Sequence, residues 1–220
     1  MLEKNNLLEL LVDHCQQQHY PPRVQVLQPG DPADTLYYVV EGSLSIHRED
    51  EGGQVIVLAY LHQGDFLGEM GVFLDFPSRG VYVKTRAATV LAQITYQHLQ
   101  ALLETELAPH RADFLHLFGA QLAKRLMQSE RKVGDLALLD VTGRIARVLL
   151  DLTEEPDAHV HPDGIRVKVT RTEMARLTGC SREMAGRCLR ELEERELIFS
   201  EGRSVIVLGA GKSGAPLENV

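Results

Sequence analysis

The hydrophobic pattern of this 220-residue chain changes its period near Pro109, and the change limits the folds open to it. Between Arg23 and Ile94, short runs rich in Val, Ile, Leu and Tyr alternate with turn residues: RVQVLQ, LYYVV, SLSIHR, QVIVLAYL, VYVKT and TVLAQI. Many short strands at near-regular spacing predict an antiparallel barrel or jelly roll rather than βαβ units. Such a fold is closed enough to hold a ligand.

Beyond Pro109 the spacing becomes helical, with alternating steps of three and four residues. The positions concerned are Ala112, Leu115, Gly119, Leu122, Leu126, Ser129, Val133 and Leu136. This spacing is the seam of a two-stranded coiled coil and favours dimerisation over the alternative, a helix packed on its own barrel. Ser129 puts a hydroxyl into the seam, where an apolar residue is expected. The hydroxyl would either fix the register of the coiled coil or reach a ligand of the neighbouring barrel. The alternative is a small residue without a functional role.

The C-terminal part carries the signals of helix, tight turn, helix and hairpin. Asp140 is suited to be the N-cap of the helix VTGRIARVLLDL, so a break there would act as a hinge. Thr170 opens a capping box, TRTE, before a helix MARL. Gly179 supplies a turn, Ser181 caps the helix SREMAGRCLRELEERE, and LIFSEGRSVIVLG predicts a hairpin wing turning at residues 201–203. This arrangement is typical of DNA-reading domains.

The second helix of that pair is two-faced. Its apolar stripe consists of Met184, Ala185, Cys188, Leu189 and Leu192. On other faces lie Arg182 and Arg187, which can each donate two hydrogen bonds to guanine, and Glu183, which can accept one from cytosine. We expect these side chains to read G and C pairs in the major groove, with Gly186 permitting close approach.

The net charge of −8 is distributed unevenly along the chain. Residues 1–108 carry six Lys or Arg and fourteen Asp or Glu, whereas residues 165–190 carry seven and two, a balance of +5. An acidic module therefore precedes one with a basic face, which favours nucleic acid as the partner of the second. An ordinary solvated helical surface is the alternative.

Composition excludes several other classes. No apolar run approaches the roughly 18 residues that cross a bilayer, and no secretory signal is apparent, so we expect a cytoplasmic protein without membrane contact. The three cysteines and nine histidines match no metal or cluster spacing, so no metal is expected. The motifs GxSxG, HExxH and GxxxxGK[ST] are absent, and we expect no enzyme.

Five stretches stand in one order and spacing: PGDPADTLYYVVEGSLSI, GDFLGEMGVF, LDVTGRIARVLLDL, HPDG and GCSREMAGRCLRELEE. On these motifs the chain resembles the bacterial cyclic AMP receptor (catabolite activator) family of Crp/Fnr transcription regulators. The resemblance implies a homodimer of α+β class. Its parts would be an N-terminal antiparallel β-roll of the cyclic nucleotide-binding type (1–108), a long dimerisation helix (109–139), a C-terminal winged helix-turn-helix (140–211) and a flexible tail (212–220).

The resemblance also implies a ligand site. The residues that match it are Gly68, Glu69, Met70, Arg79, Gly80, Ser129 and Glu130. Glu69 would accept from a ribose hydroxyl and Arg79 would bind a phosphate, although a surface ion pair would explain the spacing equally well. The family usually has a hydroxyl residue after the arginine and two on the dimer helix, where this chain has Gly80 and the pair Ser129–Glu130. Cyclic AMP is therefore the first candidate, cyclic di-GMP the second and a vestigial pocket the third; no prosthetic group is expected, and iron–sulfur and haem sensors are disfavoured.

The remaining site residues follow from the same resemblance. Contacts to double-stranded DNA with TGTGA half-sites would come from Thr170, Arg171, Ser181, Arg182, Glu183, Gly186, Arg187, Arg190 and Arg203. Contacts to RNA polymerase would come from His161, Pro162, Asp163 and Gly164, whereas a second polymerase patch is in doubt because Gln16 and Gln18 replace histidines. A nucleotide-binding module without DNA function is the alternative of another class.

Overall fold

The computed structural model describes residues 4–210. The chain divides into two compact units, Met1–Ser129 and Glu130–Val220, called here the first and second unit. The tail 212–220, expected to be flexible, lies outside the described residues. No helix in the described range is long and apolar enough to span a membrane.

The first unit is built from two four-stranded antiparallel sheets. One has the order β1-β8-β3-β6 and the other β2-β7-β4-β5. Their bounds are β1 Gln16–Tyr20, β2 Gln25–Leu27, β3 Thr35–Glu41, β4 Ser43–Glu49, β5 Val55–His62, β6 Phe66–Leu67, β7 Tyr82–Thr85 and β8 Thr89–Thr95. The expected N-terminal antiparallel β-roll is thereby confirmed.

Two apolar clusters hold this unit together. The first lies between the sheets and consists of Leu27, Val39, Leu44, Ile46, Leu61, Leu67, Val83 and Leu91. The second joins one sheet to the helices α1 (Lys4–Val12), α2 (Tyr96–Glu104) and the start of α3 (Arg111–Leu138). There Phe66 of β6 meets Phe118 of α3 edge-on, with ring centroids 5.0 Å apart. Burying these rings fixes β6, and with it the loop that follows, against α3.

Helix α3 uses different faces along its 28 residues. Phe114 and Phe118 are fully buried in the first unit, so the packing of a helix on its own barrel does occur at its start. Later seam positions remain uncovered, with Leu126, Val133 and Leu136 exposed by 60%, 66% and 53%. The apolar seam is therefore available to another surface over the second half of the helix.

The second unit contains α4 (Val141–Thr153), α5 (Arg171–Thr178), α6 (Arg182–Glu194) and one sheet of order β11-β12-β10-β9. The strands are β9 His159–His161, β10 Gly164–Lys168, β11 Ile198–Glu201 and β12 Ser204–Leu208. The last two form the expected wing hairpin. Strand β9 pairs with the start of β10, so His161 and Gly164 are strand residues facing each other.

Candidate functional site

A tight loop after β6 carries the first group of candidate ligand residues. Gly68 has φ +90°, a conformation that favours glycine, and its carbonyl accepts a 2.6 Å hydrogen bond from the Tyr96 hydroxyl. Glu69 begins a short 3₁₀ helix, Glu69–Val72. A Cβ added at Gly71 would lie 2.4 Å from ring atoms of Tyr96, so only glycine lets the tyrosine pass beneath the loop. The loop and α2 are thus locked together.

Arg79 is held from several sides. Its backbone N–H donates to the carbonyl of Asp31 at 2.8 Å, while its side chain donates through Nη2 to the carbonyl of Thr35 and through Nη1 to the Tyr96 hydroxyl at 3.4 Å. Burial raises the pKa of Tyr96, and the Arg79 charge opposes that rise without cancelling it. The phenol is therefore neutral at physiological pH, and the guanidinium keeps its positive charge uncompensated by tyrosinate.

The Glu69 carboxylate is buried, with 1% of its side chain exposed. Its Oε1 accepts from Arg125 Nη1 of α3 at 2.5 Å, and Arg125 Nη2 donates to the carbonyl of Phe66 at 2.5 Å. Gln121, one turn earlier on α3, both donates to the Phe66 carbonyl and accepts from its N–H, at 2.8 Å each. These contacts tie the loop to α3 by ionic and hydrogen bonds.

Two polar atoms of this site lack a partner in the described part of the chain. They are Glu69 Oε2 and Arg79 Nε, and both are buried. A buried acceptor or donor left unpaired costs roughly 1–3 kcal/mol, so such atoms call for an occupant. A molecule that presents a hydroxyl and an anionic oxygen together would satisfy both, as the ribose and phosphate of a nucleotide do.

The other candidate ligand residues are less engaged. Met70 is half exposed, and a Cβ added at Gly80 would meet no atom within 4 Å, so the position after Arg79 is open. Ser129 is exposed and its hydroxyl donates back to the carbonyl of Arg125 at 2.9 Å. Glu130 is exposed and belongs to the second unit. Within the first unit the structure brings together Gly68, Glu69 and Arg79 but leaves the Ser129 hydroxyl bound to its own helix.

Sequence reasoning missed Arg125, Gln121 and Tyr96 as members of this site. One signal was available for the first two: Gln121, Arg125 and Ser129 recur every four residues and so share one face of α3. Nothing in the local sequence indicates that Tyr96 passes under Gly71, because that contact joins distant parts of the chain.

The second unit presents the expected helix–turn–helix. Thr170 caps α5 by accepting from the N–H of Glu173 at 3.2 Å, and Ser181 caps α6 by accepting from the N–H of Met184 at 3.1 Å. Gly179 ends α5 with φ +68°. These three predictions are confirmed. The caps fix where α6 begins, and therefore which side chains its first turn displays.

The predicted reading residues stand on the exposed face of α6. Arg182, Glu183 and Arg187 are exposed, and none of them forms an ion pair with another described residue. The apolar stripe is buried as expected, apart from Met184, which is half buried. Arg187 donates only to the thioether of Met184, a weak acceptor, at 3.6 Å. Two arginines and a glutamate without ion-pair partners can form hydrogen bonds to base edges at little internal cost.

Gly186 is buried beside α5. A Cβ added there would lie 3.4 Å from Cδ of Arg171, an ordinary van der Waals contact with a side chain that is itself a candidate DNA contact. The close approach of DNA at Gly186 stays a prediction. Arg190 is exposed but its Nε donates to the Gly186 carbonyl at 3.3 Å. Arg203 is exposed in the wing turn.

The candidate polymerase patch lies at the β9–β10 turn. Pro162 and Asp163 are exposed there, and the Asp163 N–H donates to His161 Nδ1 at 3.3 Å. Gly164 is buried against β12, and a Cβ added there would lie 1.9 Å from the Val207 carbonyl, so only glycine fits. The displayed part of the patch is therefore residues 161–163.

At the candidate hinge, Asp140 caps α4 by accepting from the N–H of Gly143 at 2.7 Å, which confirms the predicted N-cap. Arg144 of α4 donates to the carbonyl of Leu139 at 3.1 Å and to that of Thr178, the last residue of α5, at 3.3 Å. A further hydrogen bond of 3.0 Å joins Thr142 to Glu191 of α6. Helix α4 is thus tied to both helices of the reading motif.

Comparison with known proteins agrees with this geometry. Residues 17–106 match the family model of the cyclic nucleotide-binding domain, and residues 143–210 match that of the Crp-like helix-turn-helix domain. The chain is 46% identical, over 92% of its length and 88% of the relative's, to the CRP-like protein Clp of Xanthomonas oryzae and of Xanthomonas campestris.

Solved structures give the same result. A structure described as the c-di-GMP responsive global regulator CLP of Xanthomonas campestris is 45% identical, with a TM-score of 0.88 over 94% of this chain and 100% of that one. A CRP/FNR family transcriptional regulator from Thermus thermophilus is 25% identical, with a TM-score of 0.72 over 88% and 93%. The chain therefore belongs to the Crp/Fnr family of transcription regulators, with a cyclic nucleotide-binding domain followed by a Crp-like helix-turn-helix domain.

Proposed function

We propose that this regulator is a homodimer whose affinity for a palindromic operator is set by a cyclic nucleotide bound between Glu69 and Arg79. The observation that carries the proposal is the pair of buried, unpartnered atoms, Glu69 Oε2 and Arg79 Nε. The first would accept from a ribose hydroxyl and the second would donate to a phosphate oxygen. Arg125 balances the charge of Glu69, so the carboxylate does not repel the incoming anion.

Cyclic AMP is the first candidate ligand, because it offers the required ribose hydroxyl and phosphate in one small molecule and Glu69, Arg79 and Ser129 match the family's site for it. Cyclic di-GMP is the second candidate, and two observations favour it. The CLP regulator that matches this chain over 94% of its length is described as c-di-GMP responsive. The position of Gly80 is also open, where a larger ligand would find room.

Dimerisation is proposed through α3. Leu126, Val133 and Leu136 are exposed, although a soluble helix would normally bury such side chains. They continue the heptad seam, and a second copy of the same helix would cover them by knobs-into-holes packing. Two reading helices would then be presented to the two halves of a palindrome.

Operator recognition is proposed to rest on Arg182, Glu183 and Arg187 at the start of α6. Their donors and acceptor suit the G and C pairs of a TGTGA half-site, and they are exposed without ion-pair partners among the described residues. Thr170, Arg171, Ser181, Arg190 and Arg203 surround them and would contact phosphates. Contact with RNA polymerase is proposed at the exposed turn 161–163.

The proposal is tested by calorimetric titration of the ligand-stripped protein with cyclic AMP and, separately, with cyclic di-GMP. Binding of one nucleotide at one site per chain, lost in Arg79→Ala and retained in Lys84→Ala, is the expected result. Lys84 is a suitable control because it is an exposed cation on β7, close in sequence to Arg79. Binding of neither nucleotide would contradict the ligand part of the proposal.

The DNA part is tested with the same preparations by gel retardation of a duplex with a TGTGA palindrome. A cyclic nucleotide that binds is expected to change the affinity for this duplex and not for a scrambled one of equal length. Failure to retard the palindrome in any ligation state would contradict operator binding.

A further inference from the structure

Charged side chains meet beside the turn that joins α3 to α4. Arg131, near the end of α3, donates from Nη2 to Oδ1 of Asp151 on α4 at 2.7 Å. Lys132 lies in the same cluster, within the electrostatic influence of Asp151 and Arg131. Asp140, the cap of α4, stands between the two partners in sequence. The pair therefore bridges the one break between these helices.

The cluster is only partly withdrawn from water: 47% of the Arg131 side chain and 30% of the Asp151 side chain are exposed. Burial raises the pKa of Asp151 despite the opposing charges of Arg131 and Arg147. Burial likewise lowers the pKa of Lys132, more than Asp151 raises it. Partial burial works against the charged forms, so this ion pair supplies a restraint of modest size and not a large share of the stability.

Along the chain, the pair lies between the candidate ligand residues and the reading helices. Arg131 follows Ser129 and Glu130 on α3, and the same helix carries Arg125, which holds Glu69. At the other end, α4 is bound to the last turn of α5 through Arg144 and to α6 through Thr142. A displacement of α3 that moves Arg131 would therefore pull Asp151, and α4 would carry the reading helices with it.

We propose that the Arg131–Asp151 ion pair is a clamp across the Asp140 turn, which makes α4 and the two reading helices follow a displacement of α3. The coupling of this clamp to a nucleotide rests on the proposed function. Its mechanical part does not, because a restraint on the turn exists whether or not any ligand acts. The two parts are therefore measured separately.

The restraint is measured by hydrogen exchange of the full-length protein, followed by mass spectrometry over residues 139–143. Arg131→Gln and Asp151→Asn are expected to exchange there about 1.5- to 5-fold faster than the parent, the range that a partly exposed ion pair supports. Because each removes the same bond, the double variant should exchange no faster than the faster single variant. Parent-like exchange in both single variants, or additive effects in the double, would overturn the clamp.

The control is Arg195→Gln, which removes an exposed Arg–Glu pair of 2.9 Å that stays within α6. Exchange over 139–143 should be unchanged in this variant. The coupling is then measured as the ratio of operator affinities with and without the nucleotide that acts on the parent, cyclic AMP or cyclic di-GMP. Arg131→Gln should lower that ratio about 1.5- to 5-fold, with nucleotide affinity unchanged.

An unchanged ratio together with faster exchange would overturn the transmitting role of the clamp. If neither nucleotide alters operator binding by the parent protein, the proposed function fails, and the exchange result alone decides the clamp.

Discussion

Replacing Arg125 with alanine would leave the Glu69 carboxylate buried without its counterion. Glu69 is 1% exposed and Arg125 24%, so the pair is largely withdrawn from water. Removing one member of a buried pair costs about 3–5 kcal/mol, and the exposed quarter of Arg125 places this case at the low end, about 3 kcal/mol. In a domain of this size that loss corresponds to a fall of roughly 10 °C in melting temperature.

Urea unfolding measured by far-UV circular dichroism checks this value, with tyrosine fluorescence as a second probe because the chain has no tryptophan. The double variant Glu69→Gln/Arg125→Ala should recover about half of the loss or more, since a neutral amide is then buried in place of a charge. Arg131→Ala is the matched control on the same helix, and should cost less than about 1 kcal/mol because its pair is partly exposed. A loss below about 1 kcal/mol in Arg125→Ala would refute the claim that Arg125 balances a buried charge.

Further substitutions test the other parts of the account. Arg79→Ala should abolish the operator response to nucleotide while base preference, measured by competition with mutated duplexes, stays the same; a retained response would contradict the pocket. Gly71→Ala should destabilise the loop by about 1–3 kcal/mol in urea unfolding, because its Cβ meets the Tyr96 ring, whereas Gly80→Ala, which meets nothing within 4 Å, should be neutral; equal effects would contradict the packing. Arg182→Ala should cost about 1–3 kcal/mol on the cognate duplex and relax discrimination at one guanine; a uniform loss on all duplexes would instead indicate a phosphate contact. Burial raises the pKa of the Cys15 thiol to about 11, so at pH 8 iodoacetamide should modify it far more slowly than free cysteine, as mass spectrometry would record.

Most of the fold could be predicted from the sequence, because most of its strands are runs of β-prone residues separated by turn residues. All six β-prone runs between Arg23 and Ile94 form strands, and the two reading helices begin at the capping residues Thr170 and Ser181. Strand β1, QQQHY, was missed because it has no β-branched residue and lies exposed at a sheet edge. Strand β6 was missed because two residues carry no period.

Less of the site could be predicted from the sequence, for a different reason. Glu69 and Arg79 lie in one sequence motif and were predicted from it, but the side chains that bind them come from distant segments of the chain. Arg125 takes one oxygen of Glu69, whereas Tyr96 and the Thr35 carbonyl take the two terminal nitrogens of Arg79. One carboxylate oxygen and one guanidinium nitrogen, Glu69 Oε2 and Arg79 Nε, are then left without a partner among the described residues. The neighbour of Gly186 was out of reach in the same way, because a helix pattern shows which face is apolar but not that Arg171 of α5 lies beside it.

The most direct test of the central claim is the affinity of the protein for a TGTGA palindrome, measured by fluorescence anisotropy with and without each cyclic nucleotide, in the parent and in Arg79→Ala. The account predicts that one nucleotide changes the affinity of the parent and leaves that of Arg79→Ala at its ligand-free value. Equal responses of the two proteins, or no response of the parent to either nucleotide while the duplex is still bound, would contradict control through Glu69 and Arg79.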